Sequence, residues 1–342
     1  MRKIIIILIL VFRSSEQTEP GLYVGLLTGG YSGPVTASVE VLGGECRVGD
    51  LPQPTVGHLT LVTEDSKVLV CGGRDGSKNY IQTCREYDAK SKEWKHHSHL
   101  NERRYRASGA SLQSKTMILG GGGGRDTEVL SSGSNEWRTG PALPGGATWG
   151  ACAVAISGSS LLLIGGRSRR EVAYLNQVAE FSSITSSWIQ WNTLSVARLG
   201  HACHKLGSTV VVAGGITFGG VFLKSTEVID LVTHKVSKAF DMATPRHGFG
   251  MTELGRGANT LLLAFGTAGN PTGGDFDWSL SRSAEEWDPV AGNWTFSPTV
   301  MKTRSFFGAA TVDANLVCIK GRYSLCLCFI HNIVCRRGSR IS

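Results

Sequence analysis

The chain has 342 residues, 41% of them apolar and 18% charged, enough apolar material for one sizeable core in a single domain. Its formal net charge of +8 is moderate, and Arg336, Arg337 and Arg340, close to the C-terminal end, account for part of it. With no basic helical stretch and no interleaving of basic and aromatic residues along the chain, charge does not mark a nucleic-acid binder.

The N-terminus reads Met1-Arg2-Lys3 followed by nine apolar residues, Ile4 to Phe12. A charged start before a short apolar run is the layout of a secretory signal peptide, here placed at 1–19. The run is too short to cross a bilayer as a helix.

From there a pattern recurs about every fifty residues: a short apolar run ending in two glycines. It appears as LLTGG (Gly29, Gly30), VLVCGG (Gly72, Gly73), MILGG (Gly120, Gly121), LLLIGG (Gly165, Gly166) and VVVAGG (Gly214, Gly215). LLLAFG keeps Gly266 and puts Phe265 at the first position. A fixed period of this size marks one supersecondary unit, copied and stacked.

Downstream of each glycine pair a large apolar residue is followed seven positions later by another, usually Trp. The pairs are Tyr87 and Trp94, Leu130 and Trp137, Phe181 and Trp188, Ile229 and Val236, Trp287 and Trp294. Polar, turn-forming residues lie between, and the flanking segments are short and rich in β-branched and aromatic residues. Each unit therefore reads as four antiparallel strands. The innermost is rich in small residues (SGASL, GACAVAI, HACHKL, FGAATV), the second ends at the glycines, the third carries the Tyr or its substitute, and the fourth starts at the Trp.

These landmarks resemble those of the kelch-repeat proteins, and the likeness covers roughly residues 21 to 313. The resemblance implies an all-β, six-bladed kelch β-propeller of four-stranded antiparallel blades. The first repeat begins at its second strand and TRSFFGAATV is an innermost strand with nothing matching behind it, so the C-terminal strand is expected to complete blade 1 beside Leu22–Thr28. The propeller is assigned to 20–313 and a non-repeat, Cys-rich basic tail to 314–342.

Cys71 and Cys84 fall on hairpin-neighbour strands, where opposed Cα atoms lie about 4.5–5.5 Å apart, and are expected to form a cross-strand disulfide. Cys46 is paired with Cys318 across the seam, and Cys152 and Cys203 are read as buried free thiols in innermost strands. Together with the leader, the cysteines point to a secreted, extracellular protein. Asn293-Trp294-Thr295 is a glycosylation sequon.

Loops leading into the innermost strands carry Arg104, Arg198, Arg246 and Arg304 at matching positions, with Thr55 and Thr148 in the other two. A ring of guanidinium forks at a channel mouth suits carboxylates or phosphates, so these four are the candidate partner-binding residues. The competing reading makes them part of the repeat, bonding neighbouring loop carbonyls. Glu227, Asp230 and His234 have metal-ligand chemistry, but a three-residue step along a strand sends Glu227 and Asp230 to opposite faces. Lys95-His96-His97-Ser98-His99 reads as a solvated run, and Cys326, Cys328, His331 and Cys335 are too cramped for a zinc finger. No catalytic constellation stands out, and no cofactor or metal is expected.

The chain is thus read as a monomeric, secreted interaction module without catalysis and without a membrane span, offering its channel-mouth loops to a protein or peptide with acidic groups. A glycan is the other candidate ligand. The alternative is a carbohydrate-active kelch enzyme, sugar oxidase-like or sialic-acid mutarotase-like.

Overall fold

A computed structural model describes residues 22–42, 47–121, 127–256, 261–265, 268–269, 278–279, 283–297 and 305–317. The expected leader, Cys46, Cys318, Arg304 and the tail from 318 onward lie outside the described residues.

The first strands are β1 (Leu22–Thr28) and β2 (Val39–Leu42). The next four, β3 (Leu59–Val62), β4 (Val68–Cys71), β5 (Thr83–Asp88) and β6 (Glu93–His99), pair in sequence as an antiparallel blade. A second blade holds β7 (Ser108–Leu112), β8 (Lys115–Leu119), β9 (Thr127–Ser131) and β10 (Trp137–Thr139). The short β11 (Thr148–Trp149) then pairs with β14 (Arg167–Ser168), bracketing the start of a third blade. That blade is β12 (Cys152–Ala155), β13 (Ser160–Ile164), β15 (Gln177–Ser182) and β16 (Ser187–Thr193).

The fourth is β17 (Ala202–Leu206), β18 (Thr209–Ala213), β19 (Thr226–Asp230) and β20 (Val236–Lys238). The fifth runs from β21 (Gly250–Arg256) and β22 (Leu261–Phe265), past the paired β23 (Ala268–Gly269) and β24 (Trp278–Ser279), to β25 (Ala284–Asp288) and β26 (Asn293–Ser297). Finally β27 (Gly308–Asp313) lies against β1, and a helical turn, α1 (Ala314–Val317), buries Ala314 and Val317 in the same core.

Each landmark of the repeat has a structural cause. The residues seven apart are direct cross-strand partners: Tyr87 faces Trp94, Leu130 faces Trp137, Phe181 faces Trp188, Ile229 faces Val236 and Trp287 faces Trp294. Where both are rings the centroids stand 5.1–5.2 Å apart and tilted, a favourable aromatic geometry. The indole N–H groups tie neighbouring sectors together, from Trp94 to the Gly49 carbonyl, from Trp137 to Ser98 Oγ and from Trp294 to Thr226 Oγ1. The second strands, such as Leu161–Ile164 and Val210–Ala213, are fully buried and form the core between blades.

The innermost strands meet in a closed cycle: β27 against β3, then β7, β12, β17, β21 and back to β27. The predicted closure is present in register, with Val24 opposite Val312 and Thr28 opposite Gly308. The blade count differs from expectation. Among the described residues five four-stranded blades are present where six were expected, because β27, β1 and β2 make a three-stranded set. That set shares one sheet with the fifth blade through Leu22 and Tyr23 of β1. No Trp follows Leu42 to anchor an outer strand. Instead Gly49 accepts the bond from Trp94 of the next blade, and Leu51 donates to the Ala37 carbonyl.

Candidate functional site

Six residues, one just ahead of each innermost strand, line the opening of the central channel: Gly57, Arg106, Gly150, Gly200, Gly248 and Phe306. All six have left-handed backbones, with φ between 47° and 64°. Their amides form an unbroken cycle of hydrogen bonds. Gly57 donates to Phe306, Arg106 to Gly57, Gly150 to Arg106, Gly200 to Gly150, Gly248 to Gly200 and Phe306 to Gly248, at 2.6–3.0 Å. This collar is the rim of a cavity of about 110 Å³, walled by His58, Leu199, His201, Phe249 and Phe307 among others. Burial holds His201 and His247 neutral, each with its pKa pulled down to about 3, and a nearby arginine adds to the effect in both.

The candidate arginines occupy a different place. Arg104, Arg198 and Arg246 lie beneath the loops, 0–1% exposed, and present nothing to a partner. Each pairs with a buried carboxylate on the third strand of its own blade: Arg104 with Glu128 at 2.8 Å, Arg198 with Glu227 at 2.8 Å and Arg246 with Glu285 at 3.1 Å. The carboxylates also accept loop amides, from Asn101, from Ser195 and from Ala243. The guanidinium of Arg198 further donates to the Gly214 and Ser225 carbonyls, and that of Arg246 to the Ser283 carbonyl.

Each arginine carbonyl in turn accepts the amide of the second glycine of the preceding blade: Gly73, Gly166 and Gly215. These residues therefore shape the loops and staple blade to blade. At 0–1% exposure Arg104, Arg198 and Arg246 face neighbouring loops rather than solvent. A sequence signal for the pairing exists. Glu40, Glu128, Glu227 and Glu285 stand two residues before the third-strand landmark in the four repeats with arginine, whereas the repeats with Thr55 and Thr148 have Arg85 and Ala179 there.

Cys71 and Cys84 are joined, sulfurs 2.02 Å apart, as directly opposed residues of β4 and β5. Cys152 and Cys203 are also joined, at 1.99 Å, against the expectation of free thiols. They sit on neighbouring innermost strands, β12 and β17, whose convergence at the channel wall brings the Cα atoms to 6.0 Å. Asn293 opens β26 and is half-buried. Glu227 belongs to the Arg198 pair, while Asp230 caps its turn by accepting the amides of Val232 and Thr233.

What the sequence reading missed is a group on the mouth itself. Arg74 lies over the Tyr105 ring at 5.3 Å, and Arg106 over the rings of Phe306 at 3.9 Å, Tyr105 at 5.1 Å and Trp149 at 5.5 Å. Arg167 lies over Trp149 at 5.4 Å and Tyr174 at 5.9 Å. Tyr80 stacks on Tyr105, and Tyr174 meets Phe218 edge-on, so cations and rings alternate along an arc of the mouth. The members come from six different loops, so no stretch of chain shows the alternation.

The family profile of the Kelch motif matches residues 197–242, which hold the fourth four-stranded blade and the loop entering it. No curated protein matches the sequence. The motif and the radial arrangement of four-stranded blades together support a kelch-repeat propeller.

Proposed function

We propose that this protein is a secreted interaction module that docks a protein or peptide partner on its channel-mouth face. Kelch propellers are typically interaction modules, and the observation that carries the choice of face is its exposed apolar surface. Tyr31, Tyr80, Phe218 and Val221 all lie in loops just past a glycine pair, and they are 43%, 52%, 83% and 56% exposed. Large apolar side chains gathered at one end of a rigid scaffold are a common signature of partner binding. Two disulfides among the described residues support an oxidising destination.

The test is recovery of bound protein from conditioned medium by the wild-type chain and by a Tyr80→Ser, Phe218→Ser double variant. The double variant is expected to lose its partner while melting at an unchanged temperature. A Val290→Ser, Phe296→Ser variant, altered at the outer rim, is expected to keep it. The opposite pattern would reject the mouth as the docking face. Chain retained inside cells with Cys71 open to alkylation would reject export.

A further inference from the structure

The collar contains an anomaly. Four of its six left-handed positions are glycine, the residue that adopts such a backbone without strain; the other two are Arg106 (φ 55°) and Phe306 (φ 47°). These two flank Gly57 in the cycle, and the Arg106 guanidinium carbon lies 3.9 Å from the centroid of the Phe306 ring across it. A backbone cost accepted at two positions of an otherwise glycine collar points to a role for their side chains. Among the described residues Arg74, Arg106 and Arg167 form no ion pair, unlike the buried Arg104, Arg198 and Arg246. Beyond the aromatic contacts, Arg106 spends one N–H on the Tyr105 hydroxyl.

With the cations held beside the rings, their remaining guanidinium N–H donors are the reactive part of the arc. Guanidinium edges pair with carboxylates as forks, and the aromatic surroundings strengthen the pairing by excluding water. A base-stacking ligand is disfavoured, because guanidinium groups already cover the rings it would need. The central cavity, with the small Ala107 and Ala151 in its wall, suits a short side chain.

From this geometry we propose that the mouth reads an acidic linear peptide. Arg106 takes the carboxylate of one side chain inserted over the cavity, and Arg74 and Arg167 take neighbouring carboxylates along the arc. The proposal rests on the docking reading above and gives it a ligand chemistry.

Fluorescein-labelled hexaglutamate, followed by anisotropy, is the probe, with hexaglutamine and a short oligouridylate RNA as competitors. The expected result is salt-sensitive binding of hexaglutamate that neither competitor displaces. Arg106→Gly should weaken it by about tenfold or more, as loss of a charge-assisted pair does. The same change should leave the melting temperature unchanged or raised, because glycine relieves the collar backbone. Arg106→Lys, keeping charge without the fork, should fall between, and Arg103→Gly at the exposed neighbour should bind normally.

No binding by the wild-type chain, wild-type affinity in Arg106→Gly, or tighter binding of the RNA would each overturn the proposal. If Tyr80→Ser, Phe218→Ser loses the protein partner while Arg106→Gly retains it, the docking face stands and the carboxylate reading falls.

Discussion

At the scale of single residues, the buried arginine-glutamate pairs dominate. Burial pulls the Arg198 pKa down and Glu227 pulls it back up, which describes a charge tolerable only beside its partner. Removing one member leaves the other charged and dry, a change that costs about 3–5 kcal/mol in proteins generally. Arg198 also donates to three backbone carbonyls, and nothing in a methionine replaces those bonds. Arg198→Met should therefore lower the urea midpoint sharply. Arg198→Met combined with Glu227→Met should recover part of the loss, since no unpaired charge remains. Equal losses in the single and double variants would mean that the backbone bonds, not the ion pair, hold the loop.

At the scale of the strand and its turn, the glycine pair acts as a fixed device. In all five complete pairs the first glycine has φ near 54–69° and the second near 95–105°. A Cβ on Gly214 would lie 2.6 Å from the Arg246 carbonyl oxygen, a backbone atom that cannot step aside. Gly219 also has a positive φ, 83°, but a Cβ there meets nothing within 4 Å. Gly219→Ala should then cost only the backbone term, about 1 kcal/mol. Gly214→Ala should cost several times that, read as the shift in denaturant midpoint at constant slope. Similar costs for the two would show that conformation alone, rather than close approach, explains the glycine pairs.

This device was fully visible in the sequence, as were the cross-strand pairs, because repetition records local geometry in every copy. The same holds for Cys71 and Cys84, which are neighbours within one hairpin. Contacts between copies leave no such record. The Cys152–Cys203 bond joins two blades, the cation-aromatic arc joins six loops, and the spacing of the repeat arginines does not reveal their depth. The paired glutamates were the one inter-strand signal present in the sequence and not used.

For the whole molecule, stability depends on closing the ring, and the seam is its distinctive place. β27 joins the last part of the described chain to the first through six paired positions, from Tyr23–Asp313 to Thr28–Gly308. Polar contacts reinforce the apolar ones there: Thr28 Oγ1 meets His58 Nε2 at 2.8 Å and Thr60 Oγ1 at 2.6 Å, and the Gly308 amide donates to His58 Nε2. Across the seam Val24, Leu26, Ala310 and Val312 share one buried cluster with Ala314 and Val317 of α1. Without β27 the β1 edge would expose unpaired amides and carbonyls, a template for association, and β3 and β21 would lose the neighbour that completes their cycle. A chain ending at Ser305, compared with one ending at Val317, should thus elute as larger species, lose its cooperative melt and be cleaved rapidly by protease near Leu22–Thr28. The two disulfides among the described residues lie in other sectors and cannot hold this seam. A monomeric Ser305-terminated chain with an unchanged melt would show that the remaining strands close without the last one, and that the C-terminal strand is an accessory rather than the clasp.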